Sequence, residues 1–83
     1  MTMRGYVLIE TADGQAGDIG ASVGHGLANC LALGHAFQPS ELVVHLECTE
    51  LKDFQKAILD DLARRQGVKR ITPVAIVPDA GNG

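Results

Sequence analysis

Three histidines, His25, His35 and His45, and two cysteines, Cys30 and Cys48, carry the groups in this chain best suited to metal ligation or nucleophilic attack. No two of them stand at the C-x-x-C or H-x-x-x-H interval that sets two ligands on one ion, and the ten-residue repeat of the histidines has no coordination logic. Neither a metal nor another cofactor is expected. A cysteine nucleophile needs an electropositive, partly exposed setting and a base. Cys30 and Cys48 fall within or at the end of strand-like runs, where a free cysteine acts as a small buried hydrophobe. Two cysteines with no secretory start are also weak grounds for a disulfide, so no covalent staple is expected. The glycines at 14, 17, 20, 24 and 26 form neither G-x-G-x-x-G nor G-K-[ST] and read as turns around a weak helix. No residue is assigned a catalytic role.

The segment 33–42 gathers more. It joins two strand-like runs and is long for a hairpin loop. It brings together Gly34, His35, Ser40 and Glu41, the candidate ligand-binding residues. Backbone N–H groups at a glycine turn can hold a carboxylate, and Glu41 can take an ammonium group. Loops held between rigid strands are common sites for small ligands. A plain surface hairpin accounts for the segment equally well. Glu10, near another strand end, is the other carboxylate with a chance of facing a cleft.

These residues are positioned by elements that the pattern sets out. Residues 5–11 form an apolar run closed by Asp13-Gly14, a strand with apolar side chains on both faces. In 15–26, Ile19, Val23 and Leu27 recur at helical spacing, though the glycines weaken the helix by about 1 kcal/mol each. Residues 27–37 read as a second strand, 38–40 as a turn around Pro39, and 41–48 as the clearest strand. There Leu42, Val44 and Leu46 share one face, and Val43 and His45 the other. Thr49 is placed to cap a helix over 51–65, with Leu51, Phe54, Ile58 and Leu62 along its apolar stripe and Gly67 as its left-handed stop. Residues 68–77 form a last strand. Pro73 within it demands an edge or a bulge, since proline has no N–H for the ladder. The chain reads as one domain over 1–83, with its core in 4–77 and a frayed tail at 78–83.

The order strand–helix–strand–strand–helix–strand is that of the ferredoxin-like α+β fold, βαββαβ, with an antiparallel sheet ordered 4-1-3-2. Right-handed crossovers put both helices on one face. Eighty-three residues bury only about 60% of their extended surface, so a monomer is marginal. The first and last strands carry apolar residues on both sides, and an uncovered apolar sheet face is poorly tolerated in a monomer. A homodimer closed sheet against sheet, as in the dimeric α/β-barrels, and able to assemble further, answers both problems.

Four stretches resemble the ligand-binding (RAM) domain of the Lrp/AsnC transcription regulators in its stand-alone form. Gly5-Tyr6-Val7-Leu8-Ile9 resembles the opening strand. Gly34, followed by a polar residue and Leu42-Val43-Val44, resembles the glycine-then-acid stretch before the third strand. The helix over 51–65 is similar to the second helix. Gln66-Gly67-Val68-Lys69-Arg70-Ile71-Thr72 is similar to the lead-in to the last strand. The likeness covers most of 4–77. Gly34 and Glu41 are seven residues apart, wider than the family spacing, and the first helix is richer in glycine. The resemblance implies dimers through sheet faces, rings or octamers, and amino-acid effectors at subunit borders, with Gly34, His35, Ser40 and Glu41 as the site. No helix-turn-helix precedes Gly5, so direct DNA binding is not implied.

The net charge of −3 also counts against a nucleic-acid surface, and no apolar run approaches the ~20 residues of a membrane span. With no signal peptide at the start, the cytoplasm is the expected location. The leading expectation is a non-enzymatic, amino-acid-sensing regulatory module without a DNA-binding segment. The alternative is a dimeric α/β-barrel enzyme, a cofactor-independent monooxygenase or small isomerase, with His35 or His45 as acid–base in a cavity between sheet and helices. An ACT-type regulatory domain shares the same pattern.

Overall fold

The computed structural model describes residues 2–24, 27 and 29–79. β1 spans Thr2–Thr11. It begins earlier than the apolar run because Met3 and Arg4 find partners across the ladder in Cys48 and Glu47. α1 is short, Ala16–Ser22. Its entry is fixed by the backbone: the Ala16 N–H donates to the Pro39 carbonyl at 3.1 Å. Ile19 and Val23 face the core as their spacing predicts, while Leu27 lies past the end of the helix and packs half-buried against the core.

β2 (Cys30–Gln38) and β3 (Glu41–Cys48) form a hairpin joined by Pro39 and Ser40 alone. This corrects the reading of 33–42 as a long loop. Residues 33–38 are paired strand, with one irregularity between Ala36 and Gln38 where Phe37 is the extra residue. The sequence hid this because Gly34 and the small residues around it look like a break, although Ala32, Gly34 and Ala36 all have register partners on β3.

α2 (Leu51–Lys56) continues as a π-helical stretch, Ala57–Leu62. Its buried stripe is Phe54, Ala57, Ile58 and Leu62; Leu51 is about half exposed and does not belong to it. Thr49 is not the cap. Glu50 occupies that position with no side-chain cap bond, and both the N–H and the hydroxyl of Thr49 donate to the Asn29 carbonyl, at 3.1 and 3.4 Å. Thr49 therefore ties the start of α2 to the start of β2. Gly67 has φ +94°, left-handed as expected, but it does not stop the helix: the helical segment ends at Leu62 with Ala63 as its C-cap in ordinary helical geometry, and Gly67 instead turns the chain into β4.

β4 runs Val68–Asp79 at one edge of the sheet. Its register against β1 slips between Tyr6↔Ala75 and Val7↔Pro73, leaving Val74 as a bulge. Pro73 thus sits at an edge and at a bulge together, where its missing N–H costs least. Pro78 and Asp79 pair with Met3 and Thr2, so the tail assigned to 78–83 starts later than expected; 80–83 lie outside the described residues.

The result is an α+β structure: one four-stranded antiparallel sheet ordered β2-β3-β1-β4, with both helices on one face. Val7 and Ile9 of β1, Leu42, Val44, Leu46 and Cys48 of β3, and Phe54, Ile58 and Leu62 from the helical segment form one core with Ile19 of α1 and Val23 at its C-cap. At about 25 cal/mol per Å² of buried apolar area, each large side chain here contributes roughly 1.5–3 kcal/mol.

Candidate functional site

Residues on the other phase of each strand face away from the helices. In β3 the burial alternates strictly, with Glu41, Val43, His45 and Glu47 half-buried between fully buried neighbours. Register then assembles the open face row by row. Leu8 lies opposite Val43, which lies opposite His35. Tyr6 lies opposite His45, which lies opposite Leu33. Arg4 lies opposite Glu47, which lies opposite Leu31. The Tyr6 and His45 rings stack, with centroids 4.9 Å apart and planes 19° from parallel. Tyr6, Leu31 and Leu33 are each at least half exposed. The centre of this face is therefore apolar and aromatic, a surface that costs free energy when left in water.

Its two ends are charged. At one, the Arg4 Nε lies 3.7 Å from the Glu47 Oε1. At the other, Glu10 and Glu41 are directly opposed across β1 and β3. On the far side of Glu10, Arg70 of β4 is its cross-strand partner, with Nε 3.9 Å from Oε2. Like charges directly opposite repel, and a single guanidinium leaves one carboxylate in excess. That corner has the charges a zwitterion needs, with carboxylates for an ammonium group and a guanidinium for a carboxylate.

The four sequence-derived site residues divide across this frame. Glu41 stands at the acidic corner, and His35 lies on the same face, opposite Val43. Ser40 is in the turn beside them, but its groups are engaged: the hydroxyl donates to the Asp13 Oδ1 at 3.3 Å, and its carbonyl accepts the Thr11 N–H at 2.8 Å. Gly34 points the other way. A Cβ there would lie 2.8 Å from both the Cα and the carbonyl oxygen of Gly20, so its role is to let α1 approach β2. Gly34 is a packing glycine and not an anion-binding turn.

Sequence reasoning missed Arg70 and left Glu10 and Glu41 unpaired. Only the register of three strands unites them. Of the metal-ligand candidates, His25 lies outside the described residues. Among the described residues no group of three or more His, Cys, Asp and Glu side chains is placed to hold an ion. His35 and His45 both lie on the open face, away from the layer between sheet and helices.

The cysteines require the plainest correction. Cys30 and Cys48 are cross-strand partners, with Cα atoms 4.1 Å apart, and are joined by a disulfide. They are neither free nor separate. Eighteen residues apart in sequence, they meet because β2 and β3 fold back on each other at a two-residue turn.

No protein-family model matches the chain, and the comparisons with curated proteins and with solved structures found no match. No helix among the described residues is long and apolar enough to cross a membrane.

Proposed function

We propose that this chain is a non-enzymatic sensor of a small zwitterionic metabolite, an amino acid foremost, that works as a homodimer closed across the open sheet face. In this reading the strand and helix order, with its antiparallel sheet, is the ferredoxin-like arrangement. Its uncovered face meets the same face of a second copy, as the likeness to stand-alone Lrp/AsnC ligand-binding domains implies. The observation that carries the reading is the layout of that face: an apolar centre of Tyr6, Leu8, Leu33 and Val43, with the opposed Glu10 and Glu41 and the Arg70 guanidinium at its rim. A two-fold axis through the centre buries the apolar rows and leaves the charged corner at the subunit border. There Glu41 and Glu10 receive the ammonium group of the effector, and Arg70 of β4, beside Glu10, its carboxylate.

A thermal-shift series over the amino acids tests this. Effector at 100 times its Kd stabilises the fold by about 2.7 kcal/mol. Glu41→Gln should abolish the shift for the amino acid that gives it. If no amino acid at millimolar concentration raises the melting temperature, the effector reading falls. The enzyme alternative needs a histidine in a cavity between sheet and helices, and the positions of His35 and His45 do not favour it.

Cytoplasmic residence goes with this regulatory role and has a chemical consequence. Cytosolic thiol reductants keep exposed cystines open, whereas oxidising compartments preserve them. Cytoplasmic protein unfolded in denaturant with a thiol-alkylating reagent at lysis, since Cys48 is buried, should carry two labels, at Cys30 and Cys48. Unlabelled protein would place it in an oxidising compartment.

A further inference from the structure

Cys30 and Cys48 stand at the open end of the β2–β3 hairpin, close to where α2 begins. The Thr49 N–H donates to the Asn29 carbonyl one step beyond them. That bond makes Cys30↔Cys48 a non-hydrogen-bonded pair, the kind in which opposed side chains come closest. The two sulfurs differ in access. Cys48 is 1% exposed and belongs to the core, whereas Cys30 lies on an edge strand and is only partly buried. A cleft of about 360 Å³ opens on the pair, lined by both cysteines with Asn29, Leu31, Glu47 and Thr49. Glu47 has the Arg4 guanidinium 3.7 Å from its carboxylate, which offsets the repulsion an approaching anion would meet.

This end of the hairpin is also held without the S–S bond. The Thr49 N–H and hydroxyl both donate to the Asn29 carbonyl, at 3.1 and 3.4 Å, and the Asn29 side-chain amide donates to the Asp53 Oδ1 at 3.5 Å. The Cys30 sulfur lies 3.7 Å from the Asp53 carbonyl oxygen, so a thiol there has an acceptor in place. Cys48, as a thiol, is a small hydrophobe suited to the core around it.

We propose that Cys30–Cys48 is a reversible thiol–disulfide exchange site of the folded protein, with Cys30 as the sulfur that low-molecular-weight thiols attack. A reductant thiolate entering the cleft bonds to the Cys30 Sγ. The Sγ–Sγ bond breaks, and its electron pair goes to the Cys48 Sγ, which takes up a proton. The second thiol of a dithiol reductant then attacks the reductant's own sulfur in this mixed disulfide and releases Cys30, which is protonated in turn. The reductant leaves as its disulfide, and two electrons and two protons have passed to the cysteines. Oxidation by a small disulfide reverses these steps, helped by the backbone ladder that keeps the two thiols opposed. The site depends on neither the effector nor the dimer.

Reduction by dithiothreitol, quenched and alkylated in denaturant at intervals, tests this on the unaltered protein. Direct attack on the folded chain gives a native rate within about 100-fold of the rate in denaturant. Reduction that waits on global unfolding is slower by about 10³-fold or more, the equilibrium constant of a small folded domain. A native rate more than about 100-fold below the denatured one overturns the proposal. Glutathione disulfide under native conditions identifies the reactive sulfur. Cys48→Ala should form the mixed disulfide at Cys30, and Cys30→Ala should stay unmodified at Cys48 until denatured. No modification of Cys48→Ala, or equal modification of both variants, overturns the assignment to Cys30. If either variant fails to fold, the dithiothreitol rates alone decide.

Discussion

The two faces of this sheet come from the same strands, yet they do different work. On the helix side, Val7, Ile9, Leu42, Val44 and Leu46 are fully buried under Phe54 and Leu62. One residue along each strand, the side chains turn outward, and Tyr6, Leu31 and Leu33 remain half exposed or more. The helix side is a finished core whose neighbours all belong to the same chain. The open side is apolar and aromatic at its centre but, among the described residues, has no cover of its own, and it carries opposed carboxylates, an aromatic–histidine stack and an arginine rim. Stability resides on the first face, and the proposed recognition is assigned to the second.

Substitutions should separate the two, and the largest effect belongs to the covered face. Phe54→Ala removes a fully buried ring from beneath the helical segment and should cost about 3–5 kcal/mol in denaturant unfolding. Replacing both Cys30 and Cys48 with alanine opens a loop with a sequence separation of 18, which costs about 3 kcal/mol by chain entropy; reduction of the unaltered protein should lower its melting temperature in the same way. Gly34→Ala drives a methyl group into the Gly20 backbone. It should cost about 1–3 kcal/mol with no selective loss of ligand binding, which would contradict the anion-turn role for this glycine.

The open face should respond in the opposite manner. Tyr6→Ala should change the folding free energy of the isolated chain by no more than about 0.5 kcal/mol while lowering the sedimentation mass. A large loss of folding stability with an unchanged mass would mean that the two faces are not separate in function. The smallest effect is at the rim. Glu41→Gln relieves the repulsion from Glu10 and should raise stability by about 0.2–1 kcal/mol, in the range of cross-strand charge pairs. The same variant should lose the amino-acid response, so that a gain in stability accompanies a loss of function.

Much of the frame was legible from local pattern. The run 41–48 gave β3 with both its ends and the faces of Leu42, Val43, Val44, His45 and Leu46. Ile19 and Val23, and Phe54, Ile58 and Leu62, announced their burial by helical spacing, and Gly67 its left-handed turn. Pro73 announced an edge. Boundaries failed where pairing overrode local signals: Gly34 interrupts the apolar pattern of β2 without interrupting its ladder, and Pro78 extends β4 because Met3 is there to meet it. Thr49 has the right chemistry for a cap, but its hydroxyl found the carbonyl of Asn29, just before β2, instead.

The candidate site was legible only in fragments. Glu41 and His35 drew notice as polar residues near a hairpin, but nothing local could set Glu41 against Glu10, or bring Arg70 from the far end of the chain to the same corner. Nor could it bring together two cysteines that seemed too few to form a framework. Side-chain period is a property of a single strand, so the sequence by itself determined which residues share a face, where the helices run and that one face would be left apolar. Contact across strands depends on register, which is set jointly by a two-residue turn, a bulge and the packing of α1 over Gly34. Only the tertiary structure decided which charges meet and that the cysteines join.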